Sequence, residues 1–201
     1  MRALYLTHPQ VTLDAAVPVP LWGLSPHGRA RAEAFAERGV VPPGTMVFSS
    51  RETKALELAE LLASAAGTPV MSDHAMGEND RSSTGFLPPA LFEAQVDWFF
   101  AHPQQSADGW ERAIDAQARI VSTVRTALAS VPEGAAVIFC GHGAVGTLLK
   151  CRIGNRRISR EEDQSRIGTL GGGNGFLFDL AARQLLTDWT PMEEIEPDWF
   201  V

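Results

Sequence analysis

Hydrophobic residues are arranged along the chain in two alternating patterns. Short apolar runs are typical of strands, and the continuous hydrophobicity of Ala135–Cys140 indicates a strand buried on both faces. Longer stretches with apolar residues every three or four positions are typical of helices that bury one face. The predicted strands are Arg2–Thr7, Thr45–Phe48, Pro69–Met71 and Ala135–Cys140; the predicted helices are Gly28–Arg38, Arg51–Ala65, Pro89–Ala101, Gly109–Ser130 and Ala144–Lys150. This alternation predicts an α/β fold, a three-layer α/β/α sandwich with a mixed, mostly parallel sheet.

The last third of the chain departs from this alternation. Asn174–Leu180 and Gln184–Thr190 predict a hairpin at the sheet edge, and the preceding Gly171–Gly173 run is interpreted as a mobile turn. We predict one domain over residues 1–201, with a loop and helical insertion at about 72–108. Turn-forming residues fill Met76–Pro89 within that insertion, so we expect this loop to cover the functional site.

Composition narrows the class of protein and of ligand. A chain of 201 residues with 45% hydrophobic and 20% charged residues is typical of one globular domain. The net charge of −7 argues against a nucleic-acid surface, although a local basic pocket can still bind a small anion. Cys140 and Cys151 form no CxxC pair and are interpreted as structural thiols in a reducing compartment. Without an evident leader or membrane span, we expect a cytoplasmic protein.

Two histidines follow predicted strands at equivalent positions. His8 comes directly after Arg2–Thr7, and His142 follows the Ala135–Cys140 strand at the start of a helix. Ligands of open α/β sheets collect at the carboxyl ends of strands, and a helix N-terminus, here at Gly143, offers N–H groups to an anion. A single histidine at such a place is more often structural, but two at equivalent strand ends predict a shared site.

An imidazole can attack phosphorus when a backbone carbonyl fixes one ring nitrogen as N–H and frees the other. Phosphoryl transfer also requires positive charge around the transferring group. Candidate cations are Arg51 and Lys54, at the start of the helix after the second strand, and Arg81 in the covering loop. Each of these residues also fits the alternative of a solvated surface cation.

The leaving oxygen of a phosphoester needs a proton, and a carboxylic acid close to an anion has a raised pKa. Glu78, Asp80 and Glu111 are the candidates for this donor, and each fits a solvated carboxylate equally well. The sequence contains no HExxH, HxH or cysteine quartet, and its glycine run lacks the spacing of a phosphate-binding loop. We therefore predict no metal and no cofactor.

Several motifs match one known family over nearly the whole chain. Thr7-His8-Pro9 stands where that family has Arg-His-Gly, and Leu24–Ala30 matches the start of its first helix. Ser49–Ala55 matches its Ser-Ser-x-x-x-Arg-Ala element, and Gly141–Gly143 matches its Ser-His-Gly element. Gly109–Glu111 resembles its Gly-Glu-Ser region, and Glu78 falls where its central loop has an acid. The sequence thus resembles the histidine phosphatase superfamily, whose fold is that of phosphoglycerate mutase.

This resemblance implies roles for three residues. His8 would accept the phosphoryl group, His142 would bind its oxygens, and Glu78 would donate the proton. Thr7 and Lys54 stand at the positions of two family arginines that clamp phosphate; threonine supplies no charge and lysine only a point charge. Pro9 also lacks the N–H of the motif glycine.

The expected function is that of a metal-independent histidine acid phosphatase-type enzyme, which hydrolyses a small phosphomonoester through a phosphohistidine. The alternative is a catalytically impaired homologue that binds a phosphorylated or other anionic ligand. We expect the partner to be a small phosphorylated or anionic molecule and neither nucleic acid nor membrane; a homodimer is left open. The two functions are distinguished by whether Arg51 or Arg81 points at His8. An arginine in that place would offset the missing arginines and favour the enzyme.

Overall fold

The computed structural model describes residues 1–200, which form one seven-stranded sheet between two layers of helices. The strands are β1 (Arg2–Thr7), β2 (Met46–Ser50), β3 (Val70–Asp73), β4 (Val137–Gly141), β5 (Asn174–Asp179), β6 (Gln184–Leu185) and β7 (Thr190–Pro191). The α-helices are α1 (Pro26–Glu37), α2 (Thr53–Ala66), α3 (Pro89–Ala101), α4 (Ala113–Ala129), α5 (Gly143–Ile153) and α6 (Gln164–Ile167). Short 3₁₀ turns cover Val19–Leu21, His74–Met76, Arg160–Glu162, Met192–Glu194 and Pro197–Phe200.

The order of the strands brings β1 and β4 together at the centre of the sheet. The sequence of neighbours is β3-β2-β4-β1-β5-β6, and β7 also pairs with β5. The first four strands are mutually parallel, whereas β5 runs antiparallel to β1. The prediction of a mixed, mostly parallel sheet is therefore confirmed. In the β1–β4 register, Thr7 lies opposite Gly141, so both strands end at the same edge.

Alternate side chains of the central strands enter two separate hydrophobic cores. Tyr5 and Phe139 pack in the core that α3, α4 and α5 cover. Leu4 and Ile138 pack in the core that α1 and α2 cover. Because both faces of β1 and β4 are buried, these strands need the continuous apolar runs seen in the sequence. The three predicted layers are confirmed.

The predicted terminal hairpin is only partly present, because its second strand is broken. The N–H groups of Leu186 and Thr187 both donate to the carbonyl oxygen of Leu177, so two residues oppose one as in a β-bulge. Beyond this point Trp189 turns into the core beside Phe176, with ring centroids 4.8 Å apart. The prediction of one continuous strand over Gln184–Thr190 was wrong, and the two short strands β6 and β7 replace it.

The long fourth helix begins later than its hydrophobic pattern predicts. Gly109 has a left-handed backbone with φ of 84°, which interrupts a helix. Trp110 is buried, and its indole Nε1–H donates to the Thr84 hydroxyl at 2.8 Å. Regular helix starts at Ala113. Within residues 1–200, no helix is both long enough and apolar enough to cross a membrane.

Candidate active site

The two histidines lie side by side at the carboxyl edge of β1 and β4. The N–H of His8 donates to the Gly141 carbonyl at 3.0 Å, which extends the strand pairing one residue beyond β1. The ring centroids of His8 and His142 are 5.2 Å apart, with the ring planes at 69°. Residues far apart in sequence are thus brought together where an α/β sheet binds ligands.

A backbone carbonyl holds the His8 ring in one tautomer. Nδ1 of His8 lies 2.9 Å from the Pro9 carbonyl oxygen, and since that oxygen can only accept, Nδ1 carries the hydrogen. Nε2 then keeps its lone pair. Burial lowers the pKa of His8 to about 4, helped by the nearby charge of Lys54 and opposed by the Pro9 hydrogen bond. The ring is therefore neutral at physiological pH.

The glycine run supports the His8 backbone. The N–H of Gly173 donates to the His8 carbonyl at 3.0 Å. Gly171, Gly172 and Gly173 have φ angles of 87°, 84° and 71°, a conformation that favours glycine. A Cβ on Gly172 would lie 2.2 Å from the His8 carbonyl oxygen, closer than any real contact. This run, which we predicted to be a mobile turn, has the left-handed backbone that favours glycine, and at Gly172 a side chain would collide with His8.

His142 is fully buried at the start of α5. Its N–H donates to the hydroxyl of Tyr5 at 3.0 Å, and its Nε2 lies 2.7 Å from the Ser50 hydroxyl. Its other ring nitrogen, Nδ1, is buried without a hydrogen-bond partner among residues 1–200. Burial lowers the pKa of His142 well below its usual value, although the charge of Glu52 opposes this.

A carboxylate that the sequence analysis missed lies beside His142. Glu52 precedes α2 with an extended backbone and accepts hydrogen bonds from Lys54 Nζ and from the N–H of Glu78 at 2.8 Å. Its Oε1 is 3.4 Å from His142 Nε2. Burial alone would raise the pKa of Glu52, but the charge and hydrogen bond of Lys54 and the hydrogen bond from the Glu78 N–H hold it below its usual value. The backbone at Glu52 is extended, and no sequence motif indicates that its side chain lies beside His142.

Of the three candidate acids, Glu78 lies at the site. Its carboxylate accepts hydrogen bonds from the N–H groups of Ala144 and Val145, at the start of α5, and it lines the cavity beside His8. Burial raises the pKa of Glu78, which keeps the proton on the carboxyl group to higher pH than usual. Asp80 is instead exposed, and hydrogen bonds from Ser82 lower its pKa.

The third candidate acid, Glu111, is part of the support for the covering loop. Its carboxylate forms an ion pair with Arg119, with Nη2 and Oε2 2.7 Å apart. The same guanidinium donates to the carbonyl oxygens of Ala75, Gly77 and Glu78. Arg119 therefore holds the backbone that carries Glu78, and Glu111 holds Arg119.

A cavity of about 280 Å³ opens beside His8 and Glu78. Its other lining residues include the apolar side chains Phe92, Val96, Phe99 and Trp110, the cations Arg81 and Arg160, and the backbone of Gly143. The Arg81 guanidinium lies over the Phe92 ring, 4.8 Å from its centroid. Arg160 is paired with Glu93. Arg81 is therefore the cation best placed to meet an anionic ligand next to His8.

Three other predicted phosphate-binding residues do not line this cavity. Arg51 is exposed. Lys54 is buried and donates to the Val19 carbonyl at 3.0 Å as well as to Glu52. Thr7 is buried, and its hydroxyl lies 2.7 Å from Gln164 Oε1. Of the two arginines proposed to compensate for the missing clamp, the structure brings Arg81 to the cavity and not Arg51.

Two amides at the cavity were also missed. Oε1 of Gln164 accepts from the Thr7 hydroxyl and from Asn174 Nδ2, so its Nε2 is directed elsewhere and lies against Gly143. Nδ2 of Asn79 is buried without a hydrogen-bond partner among residues 1–200, although Asn79 lines the cavity. A buried donor without a partner is costly, so a ligand oxygen or a water would stabilise it.

A larger cleft of about 890 Å³ lies elsewhere, between the ends of α4 and α5. Its lining includes Arg125, Arg152 and Arg183 but no histidine, carboxylate or hydroxyl side chain. The smaller cavity, which His8 and Glu78 both line, is therefore the candidate active site. Among residues 1–200, no group of three or more His, Cys, Asp or Glu side chains is arranged to hold a metal ion.

Comparisons with known proteins agree with this architecture. A sequence profile of the histidine phosphatase superfamily (branch 1) matches residues 19–164, a range that includes His142 and begins after His8. None of the curated proteins compared with the chain matches it.

Solved structures match the fold over almost the full length. The phosphate complex of a mycobacterial glucosyl-3-phosphoglycerate phosphatase has 23% identity and a TM-score of 0.76, covering 96% of this chain and 98% of that one. YhfR of Bacillus stearothermophilus has 16% identity and a TM-score of 0.75, covering 100% and 99%. An open reading frame product of Mycobacterium tuberculosis has 21% identity and a TM-score of 0.68, covering 95% and 98%. At these identities, the likeness concerns the fold.

The support of His8 by the glycine run can be tested with two matched substitutions. Gly134 has φ of 81° and nothing near its missing Cβ, so Gly134→Ala should cost only the left-handed backbone, about 1–2 kcal/mol. Gly172→Ala adds the clash with the His8 carbonyl and should lower the free energy of unfolding by about 1–3 kcal/mol more. Chemical denaturation measures both. Equal losses would show that Gly172 is not in close contact with His8.

Proposed function

Because the chain belongs to the histidine phosphatase superfamily (branch 1), we propose that it is a phosphatase that hydrolyses a small phosphomonoester through a phosphohistidine on His8. The observation that carries this proposal is the hydrogen bond between His8 Nδ1 and the Pro9 carbonyl oxygen. It places the hydrogen on Nδ1, so the Nε2 lone pair is available for attack on phosphorus. The ring itself is half-buried, and desolvation keeps it neutral against the opposing effect of this hydrogen bond.

In the first half of the reaction, Nε2 of His8 forms a bond to phosphorus as the bond to the ester oxygen breaks. Glu78 transfers its proton to that oxygen, and the alcohol leaves. The raised pKa of Glu78 supports this role, because the carboxyl group must be protonated when the substrate binds. In the second half, the Glu78 carboxylate takes a proton from water, which attacks phosphorus and releases phosphate and free His8.

Charge on the phosphoryl oxygens is balanced mainly by Arg81, which lines the cavity and has no ion-pair partner among residues 1–200. The N-terminus of α5 adds its partial positive charge at Gly143. The amides of Gln164 and Asn79, which line the cavity, can donate to oxygens as neutral groups. His142 does not line the cavity, and its ring lies beside that of His8, with the ring centroids 5.2 Å apart. The apolar side chains beside Phe92 fit a leaving group with an apolar part.

The second candidate function, a phospho-ligand-binding homologue with impaired catalysis, has its own support. Thr7 carries no charge, and its hydroxyl is engaged with Gln164 rather than with the cavity. Lys54 is paired with Glu52. A site with fewer free cations stabilises a transferring phosphoryl group less than one with two arginine clamps. Such a protein would bind phosphate but hydrolyse esters slowly, if at all.

Removing the nucleophile distinguishes the two functions. The wild-type protein should hydrolyse an aryl phosphate, and His8→Ala should lose this activity by several orders of magnitude, because no covalent intermediate can form. Steady-state kinetics measures the loss, and thermal unfolding checks the fold. His74→Ala, at an exposed histidine, is the matched control and should keep full activity. Phosphate binding without turnover in the wild type would instead favour the binding protein.

The role of Glu78 is tested by varying the leaving group. Glu78→Gln keeps the shape of the side chain but cannot donate a proton, so it should slow an alkyl phosphate by about 10²–10⁴-fold and nitrophenyl phosphate much less. The variant should also remove the loss of activity that the wild type shows when Glu78 is deprotonated at rising pH. Asp80→Asn serves as the control, since Asp80 is exposed next to the site. Equal losses for both substrates would assign the proton to another group.

A further inference from the structure

Glu52 accepts hydrogen bonds from two donors and lies beside one of the paired histidines. Its carboxylate accepts hydrogen bonds from Lys54 Nζ and from the N–H of Glu78, and it lies 3.4 Å from His142 Nε2. Lys54 stands at the position of a clamping arginine in the Ser49–Ala55 motif. An anion supplied by the chain itself therefore sits among the positively charged and N–H groups of the site.

The surroundings keep this carboxylate charged and in contact. Only 14% of the Glu52 side chain is exposed, against 3% for Lys54. A buried ammonium group without a counter-ion is strongly destabilising, so in the absence of a ligand Lys54 requires Glu52. The same contacts oppose the entry of a second anion, because two negative groups cannot share these donors without repulsion.

We propose that Glu52 is an internal competitor of the phosphoryl group: it neutralises Lys54 and contacts His142 in the free protein, and binding of a phosphate or phosphomonoester displaces its carboxylate from these donors. The inference rests on the proposed function, because it takes the phosphoryl group on His8 to reach Lys54 and His142 once the Glu52 carboxylate has moved. With the carboxylate in place, neither Lys54 nor His142 lines the cavity. It assigns to Glu52 control over how tightly the site holds phosphate, while His8 and Glu78 keep their roles in the reaction.

The position of Glu52 in the fold permits this displacement. Glu52 is the residue before α2, with φ of −73° and ψ of 136°, and its side chain makes no capping hydrogen bond to the helix. Rotation of its side chain therefore leaves the α2 backbone bonds intact. Lys54 retains its bond to the Val19 carbonyl when the carboxylate moves, so the ammonium group stays in place to receive a phosphoryl oxygen.

Substitutions at Glu52 separate competition from support. Glu52→Gln removes the charge and should tighten binding of inorganic phosphate about tenfold, because a charged competitor is replaced by a neutral one. Glu52→Asp keeps the charge, but its side chain is one methylene shorter, so the carboxylate lies farther from its donors. This variant should therefore tighten phosphate binding by a smaller factor. Glu60→Gln removes the same charge from an exposed position on α2 and should change nothing. Calorimetry with phosphate measures each affinity without relying on turnover.

Stability supplies a second readout. Without phosphate, Glu52→Gln should have a lower Tm than the wild type, because Lys54 loses its counter-ion. With saturating phosphate, the Tm of the variant should rise by more than that of the wild type, since stabilisation by a ligand grows with its affinity. A structural role alone would lower the Tm and leave the rise with phosphate unchanged or smaller.

The outcomes are distinct. Weaker or unchanged phosphate binding in both Glu52→Gln and Glu52→Asp would overturn the competition and make Glu52 a support for Lys54. The proposed function would still stand in that case if the wild type hydrolysed an aryl phosphate. If Glu60→Gln tightened binding as much as Glu52→Gln, the effect would be one of overall charge, and the inference would be wrong. Failure of the wild type and of every variant to bind phosphate would overturn both the competition and the proposed function.

Discussion

The parallel pairing of β1 with β4 brings the two histidines of the candidate site together. Thr7 opposite Gly141 makes both strands end at the same level, so the next residues, His8 and His142, leave the sheet side by side. The bond from the His8 N–H to the Gly141 carbonyl extends this pairing, and the bond from Gly173 to the His8 carbonyl fixes the other side of the backbone. A shift of one residue in this register would turn the alternating side chains to the wrong cores, so burial of both faces protects the site geometry.

Burial then sets the chemistry of the paired rings. Both histidines have lowered pKa values, chiefly through the loss of water, and a neutral imidazole is the form that attacks phosphorus. Burial also raises the pKa of Glu78, so its carboxyl group keeps a proton to higher pH than usual in the cavity that His8 lines. The environment thus lowers the pKa of the imidazole and raises the pKa of the carboxyl group. A neutral imidazole beside a protonated carboxyl group suits hydrolysis at neutral pH.

Strand periodicity predicted the layers, because a strand buried on both faces needs an apolar run, and the two strand ends predicted that His8 and His142 would lie close together. The side-chain directions in short connecting segments could not be predicted in this way. Arg51 and Glu52 are neighbours, yet the extended backbone at Glu52 turns its carboxylate toward His142 while Arg51 remains exposed. The contact of the glycine run with His8 could not be predicted for a related reason: composition shows that these residues can adopt left-handed φ values, but not which distant backbone they approach.

The central claim is that the Nε2 atom of His8 carries the phosphoryl group between the two half-reactions. The most direct test is to mix the wild-type protein with an aryl phosphate, stop the reaction in alkali, which preserves a phosphorus–nitrogen bond, and locate the phosphoryl group by tandem mass spectrometry of the peptides. The account predicts a single phosphorylated residue, His8. A phosphoryl group on another side chain, or steady turnover with no phosphorylated peptide at any time, would contradict it.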